Sequence, residues 1–208
     1  MIGVIDVGLG NIGSVCSMLN HIGVPNKILN NSDQIIDCKK LILPGVGSFD
    51  TGIRRLNDSG FSNILRKIHY EKSHDILGIC LGAQLLGYSS DEGFSEGLKC
   101  LNFKTIDFRS SIQLRTPHMG WNTINFNNIN TKLSFIKEFN FDDLDRFYFV
   151  HRYFMKVNNC KIAYATTHYG KPFTSIVGEY RTVGVQFHPE KSSISGIKFL
   201  RAFASYVP

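Results

Sequence analysis

Short apolar runs alternate with helix-period stretches through the first half of the chain. Ile2 to Val7 has the length of a buried strand, and a glycine-rich turn follows it, Gly8-Leu9-Gly10-Asn11-Ile12-Gly13. Val15, Met18, Leu19 and Ile22 then recur at helical spacing, so this opening predicts a strand–turn–helix unit. Lys40-Leu41-Ile42-Leu43 predicts another strand, which runs into Pro44-Gly45-Val46-Gly47-Ser48-Phe49. Helical periodicity returns over Phe49–Leu56 and Phe61–His69. Asp75 to Ile79 predicts the next strand, and Leu81 to Leu86 opens a helix.

After Glu92-Gly93 the rhythm changes. Cys100–Phe108, Trp121–Phe126, Phe147–Phe154, Lys161–Thr167 and Phe173–Phe187 are rich in aromatic and β-branched residues and predict strands. Asn125–Asn130 predicts a loop or turn, and a helix from Ser195 to Tyr206 closes the chain. Alternating strands and helices followed by mostly strands predict one α/β domain over residues 1–208. Its sheet is mostly parallel and flanked by helices, with additional antiparallel strands in the C-terminal half.

Composition narrows the class. The chain has 208 residues, 43% of them hydrophobic, enough for one compact core. The formal net charge is +6, but Lys39, Lys40, Arg54, Arg55, Arg66 and Lys67 are scattered. They predict solvated faces and no nucleic-acid partner. Five cysteines, an odd number with no C-x-x-C pair, argue against a disulfide framework or a zinc site. They favour a reducing compartment. Met1-Ile2-Gly3-Val4-Ile5-Asp6 has neither the basic segment nor the long apolar stretch of a signal peptide. No apolar stretch reaches the roughly 18 residues a membrane span needs. The expectation is a cytoplasmic protein without a membrane partner.

The candidate chemistry centres on Gly78-Ile79-Cys80-Leu81-Gly82-Ala83-Gln84. A strand feeding a Gly-x-Cys-x-Gly turn and then a helix suits a nucleophile elbow. The glycines relieve the crossing of the turn, and the helix N-terminus favours a thiolate. A buried cysteine beside two packing glycines is the competing reading. Gln84, one helical turn on, either faces the same site or is an ordinary exposed residue. Two glycines around Val46 permit backbone N–H groups of Gly45, Val46 and Gly47 to face a ligand. His188 ends a predicted strand, precedes Pro189 and has Glu190 two residues on. That spacing allows Glu190 to fix the tautomer of an imidazole acting on a thiol. The combination ranks His188 above His21, His69, His74 and His168, while His118 and His151 stay open. Gly8–Gly13 also matches G-x-G-x-x-G, the fingerprint of a nucleotide-binding module. The expected acidic residue about 20 positions on is missing from Lys27-Ile28-Leu29-Asn30-Asn31, so tight packing is the better reading.

Together, Gly78–Gln84, Pro44–Gly47 and His188-Pro189-Glu190-Lys191-Ser192 resemble the class I (triad) glutamine amidotransferases. Pro117-His118-Met119-Gly120-Trp121-Asn122 and Tyr148-Phe149-Val150-His151 resemble the branch serving imidazole glycerol phosphate synthase, in histidine biosynthesis. The similarity runs from Ile2 to the C-terminal helix. It implies that Cys80 attacks the γ-amide of glutamine, that His188 is base and then acid, and that Glu190 orients it. It also implies an oxyanion hole at Gly45-Val46-Gly47 after a peptide rearrangement, and glutamine contacts from Gln84 and Glu92. Asn11, Trp121, Asn122 and Lys191 match positions facing a cyclase subunit, a (β/α)8 barrel that receives the ammonia in a heterodimer. No metal or organic cofactor is implied. Two residues depart from the pattern: Ala83 stands where Met is usual, and Arg152 where Ser or Thr is common. Gly10–Val15, Asp50–Ile53 and Leu56–Gly60 look more like paralogues that feed a sugar-modifying synthetase, building acetamidino groups on surface sugars. The intact P-H-M-G-W-N motif puts histidine biosynthesis first. A stand-alone cysteine hydrolase is a further alternative.

Overall fold

The computed structural model describes residues 1–110, 114–126, 135–136, 142, 144–158 and 160–206. In chain order the strands and helices are β1 (Ile2–Ile5), α1 (Ile12–His21), β2 (Asn26–Leu29), β3 (Lys40–Gly45), α2 (Phe49–Asp58), α3 (Phe61–Tyr70), β4 (Asp75–Cys80) and α4 (Leu81–Leu85). There follow β5 (Ser89–Ser90), β6 (Phe103–Asp107), β7 (His118–Thr123), β8 (Asn125–Phe126), β9 (Arg146–His151) and β10 (Tyr153–Val157). The last elements are β11 (Ala163–Tyr169), β12 (Lys171–Glu179), β13 (Thr182–Val185) and α5 (Ser193–Ser205).

Among the described residues, one sheet runs in the order β2-β1-β3-β4-β13-β12-β10-β6-β5, with β11 and β8 branching from β12. The first five of these strands pair in parallel, and β12 turns the sheet antiparallel against β13. All six residues of β4 are buried, as a central parallel strand covered on both faces requires. Successive residues serve opposite cores. Leu77 and Ile79 join Val15, Leu19, Phe199 and Phe203 under α1 and α5, whereas Ile76 joins Leu56, Leu65 and Leu85 under α2–α4. Phe49, Gly52, Ile53 and Leu56 form the buried stripe of α2 at the expected helical spacing. No helix among the described residues is long and apolar enough to cross a membrane.

The predicted α/β alternation and the later antiparallel strands are present, and several long predicted strands are divided. Phe147–Phe154 breaks at Arg152, because β9 pairs with β7 in a separate two-stranded ribbon while β10 joins the main sheet. Phe173–Phe187 breaks at a turn where Tyr180 has φ +54°. Trp121–Phe126 breaks at Ile124, with β7 in the ribbon and β8 on β11. The expectation of a loop over Asn125–Asn130 is corrected at its start. Asn125 and Phe126 pair with Thr166 and Ala165, a non-local edge that turn-forming composition does not reveal. Residues 127–130 lie outside the described residues. Lys161 sits in a short 3-10 turn ahead of β11.

One lysine closes the fold end to end. Lys40 Nζ, at the start of β3, donates to Phe203 O at 2.6 Å, to Ala204 O at 2.9 Å and to Tyr206 O. These carbonyls are exposed by the end of α5, where a cation also complements the helix dipole. Lys40→Met should therefore lower stability by about 1–3 kcal/mol, read by urea unfolding, with the α5 amides losing hydrogen-exchange protection first.

Candidate active site

The carboxyl ends of β3, β4 and β13 meet at one edge of the sheet, where open α/β folds place their sites. Cys80 is the pivot. Its backbone has φ +54° and ψ −111°, a conformation costing roughly 1–3 kcal/mol for a non-glycine residue. Close glycine packing holds it there. A Cβ on Gly82 would sit 1.9 Å from Leu43 O, and one on Gly45 would sit 2.5 Å from Gly82 N. A Cβ on Gly78 would lie 2.8 Å from Ala83 N. The end of β3 and the start of α4 therefore touch backbone to backbone, and the sulfur is aimed outward at the first turn of α4. Ala83, fully buried, fits beneath Gly184, whose own Cβ would lie 3.0 Å from the Ala83 methyl.

His188 reaches the same place from the segment leaving β13. Its amide donates to Tyr148 O at 2.9 Å, and Ser192 Oγ donates to His188 O at 2.6 Å while accepting from Tyr148 N at 3.0 Å. Ribbon strand β9 thus clamps the histidine backbone. His188 Nδ1 lies 2.7 Å from Glu190 Oε1, with both side chains almost fully buried. Its buried Nε2 lies near enough to Cys80 for the sulfur to act on it electrostatically. Burial alone pushes the imidazole's pKa down. The negative partners Cys80 and Glu190 outweigh burial and push it up to about 10. Burial pushes the Cys16, Cys38 and Cys100 thiols upward, Cys100 to about 12, and makes them poor nucleophiles.

A pocket of about 320 Å³ opens over the sulfur, lined by Val46, Gly47, Cys80, Gln84, Glu92 and His188 with Val150 and Arg152. That volume is at the small end for ligand sites and suits a molecule of amino-acid size. Larger hollows of about 520 and 650 Å³ lie beside α3 and beside the end of α5, away from Cys80. Gln84 is buried, which decides between its two sequence readings. Its Nε2 donates to Tyr153 O and to Gln186 Oε1, each at 3.1 Å, and Gln186 Nε2 donates to Cys80 Sγ at 3.8 Å. Cys80 Sγ itself lies 3.9 Å from Val150 O. Glu92 Oε2 accepts from Phe49 N at 2.8 Å. Burial raises the pKa of this carboxyl, and the Phe49 N–H and the Arg152 charge oppose that shift. Gly47 has φ +108° with open space where a Cβ would be, so the Val46–Gly47 peptide has room to turn.

Other expected positions divide. Asn11 caps α1 through Ser14 N, and Lys191 and Trp121 are exposed. Asn122 turns its amide inward, donating to His168 O at 3.0 Å and meeting His118 Nε2 at 3.3 Å. His118 and His151, the competitors of His188, bond each other at 3.0 Å. His151 Nδ1 lies 2.7 Å from Tyr153 O and so donates to it, which makes His151 Nε2 the acceptor from His118. Burial pushes His118 down to about 4 and His151 down to about 3, so both are neutral. The Gly8–Gly13 loop serves packing: a Cβ on Gly10 would lie 3.3 Å from Gly45 N, and Arg55 Nη1 donates to Gly8 O. Sequence reasoning gave no role to Gln186, Tyr148, Ser192 or Asp107, although Tyr148 and Ser192 lie within the motifs that carry the family resemblance. Gln186 also left a signal, a polar residue closing an apolar strand two positions before His188. Among the described residues, no three His, Cys, Asp or Glu side chains converge to hold a metal ion.

Comparison with known proteins gives the family. The family model described as "Glutamine amidotransferase class-I" matches residues 3–204. A Methanococcus maripaludis protein named imidazole glycerol phosphate synthase subunit HisH 2 is 44% identical over 203 residues, covering 98% of each chain. A Pseudomonas aeruginosa protein of the same name is 38% identical over 207 residues, covering 100% of each. A crystal structure of a glutamine amidotransferase superposes with a TM-score of 0.74 at 17% identity, covering 97% of this chain and 98% of its own, a likeness of fold. By the match along its length and the identity to these relatives, the chain belongs to the class-I glutamine amidotransferase family.

Proposed function

We propose that this protein is the glutaminase subunit of an imidazole glycerol phosphate synthase. It hydrolyses glutamine to glutamate and ammonia and hands the ammonia to a cyclase subunit of (β/α)8 barrel form, in the cytoplasm. The observation that carries this reading is that Cys80 and His188 line one amino-acid-sized pocket while Glu190 holds the imidazole by its other nitrogen. The full-length similarity to proteins bearing that subunit name supports the pathway.

The chemistry follows from the geometry. An amide is a weak electrophile with a poor leaving group, so it needs a thiolate, an oxyanion site and an acid. The Cys80 thiolate adds to the γ-carbonyl carbon. N–H groups of the Gly45-Val46-Gly47 segment, once turned inward, hold the oxyanion. The His188 imidazolium gives its Nε2 proton to the departing nitrogen, and ammonia leaves a γ-glutamyl thioester. Acylation removes the negative charge on sulfur, a chief support of the raised imidazole pKa. His188 is then neutral and takes a proton from water, which attacks the thioester. Glutamate leaves and the thiolate–imidazolium pair is restored. The same partner charge thus loads the acid for the first half and releases the base for the second. Glu190 keeps Nδ1 protonated in both halves.

A second reading keeps the same chemistry and rests on Gly10–Val15, Asp50–Ile53 and Leu56–Gly60, which look more like the paralogues that feed a sugar-modifying synthetase. In that case the ammonia goes to a synthetase that builds acetamidino groups on surface sugars. A stand-alone cysteine hydrolase is less well supported, because Met119 and Trp121 leave a half-exposed apolar strand near the pocket that free hydrolysis does not need.

Co-expression with a cyclase barrel should give a complex whose glutamine-dependent turnover falls roughly 1000-fold or more in Cys80→Ala, while turnover with added ammonia persists. Retained glutamine use would refute the assignment, and capture of a sugar-modifying synthetase in place of the barrel would move the pathway. Glu190→Gln removes a negative partner that favours the imidazolium. The His188 titration, followed by NMR, should therefore move down from about 10, and glutamine-dependent kcat/KM should fall roughly 100-fold.

A further inference from the structure

Arg152 stands where β9 ends and β10 begins, and it is one of the residues lining the pocket over Cys80. Asp107 Oδ2 holds it through Nη2 at 2.5 Å and Nε at 3.1 Å. The guanidinium also lies over the Tyr153 ring, 4.9 Å from its centroid. Asp107 is fixed in turn, its Oδ1 accepting from Arg109 N at 2.9 Å. The guanidinium is therefore positioned from two sides, and Asp107 occupies two of its five N–H donors. Apart from His188, the charged residues lining this pocket are Glu92 and Arg152. They are of opposite sign, and the Glu92 carboxyl feels the Arg152 charge.

A ligand matched to this pocket carries one positive and one negative group at one end, with a reactive carbonyl reaching the sulfur. Resting on the glutaminase reading, we propose that Arg152 is a substrate-recognition residue. It binds the α-carboxylate of glutamine while Glu92 binds the α-ammonium, leaving the γ-amide at Cys80. A guanidinium suits this role because its planar fork matches a carboxylate. The departure from Ser or Thr at this position thereby gains a purpose: a charged side chain on a fixed mount reads the head group. Asp107 is a positioning residue for it.

Covalent labelling of Cys80 in the full chain tests the assignment. Two reagents are compared by mass spectrometry: 6-diazo-5-oxo-L-norleucine, which carries the amino-acid head group, and iodoacetamide, which does not. In Arg152→Met the half-saturating concentration of the diazo reagent should rise roughly 10- to 100-fold, with its maximal rate and the iodoacetamide rate little changed. Arg152→Lys, which keeps the charge but loses the fork, should fall between. An unchanged half-saturating concentration in Arg152→Met would overturn the proposal. So would equal loss of labelling by both reagents, which would mean that Arg152 supports the nucleophile or the fold. Failure of the diazo reagent to label Cys80 in the unaltered chain would instead refute the glutaminase reading itself.

Discussion

The structure depends on a contact between two backbones. Gly82 lies so near the Leu43 carbonyl that a single methyl group has no room between them. That approach lets α4 begin directly at the end of β4 and holds Cys80 in a conformation a non-glycine residue avoids. It also fixes where Gly45 can be, because Gly45 packs on Gly82 N. Cys80 and the Gly45–Gly47 segment are therefore placed by one constraint. The surrounding cores, built on alternate residues of β1, β3 and β4, supply the stability that supports the strained turn.

The second half of the site is held differently. His188 hangs from ribbon strand β9 by backbone and Ser192 hydrogen bonds, and its charge state comes from two negative neighbours that outweigh its burial. A buried imidazole with such partners does not behave as a free histidine. Its affinity for protons depends on the charge of the sulfur and of the carboxylate beside it. His118 and His151 stay neutral because burial lowers both and their partners, each other and Tyr153 O, are uncharged. Chemical identity is the same in all three; the partner decides the role.

Much of this was legible in the chain itself. The first half reads cleanly because parallel strands buried on both faces leave continuous apolar runs, and glycines mark the crossings around Cys80 and Gly45. His188 and Glu190 are visible because they are neighbours in sequence. The second half was harder. Aromatic and β-branched residues predict strands there, but the break at Arg152 depends on β9 and β10 pairing with different partners, and local propensity carries no such information. The tie from Asp107 to Arg152 spans 45 positions, and the clamp of Tyr148 on His188 is equally non-local. Such contacts become visible when the sheet order is known.

The two-stranded ribbon has one consequence of a mechanical kind. Its outer strand presents Met119 and Trp121 to solvent, and Trp121 lies against Tyr148 with ring centroids 6.0 Å apart. Its inner strand carries Tyr148, which holds His188, and Val150, whose carbonyl lies beside the Cys80 sulfur. The ribbon is thus a short lever with a handle outside and two fingers in the reaction centre. A load resting on Trp121 would bear on His188 and Cys80 together, through a pair of strands that lie outside the pairing of the main sheet.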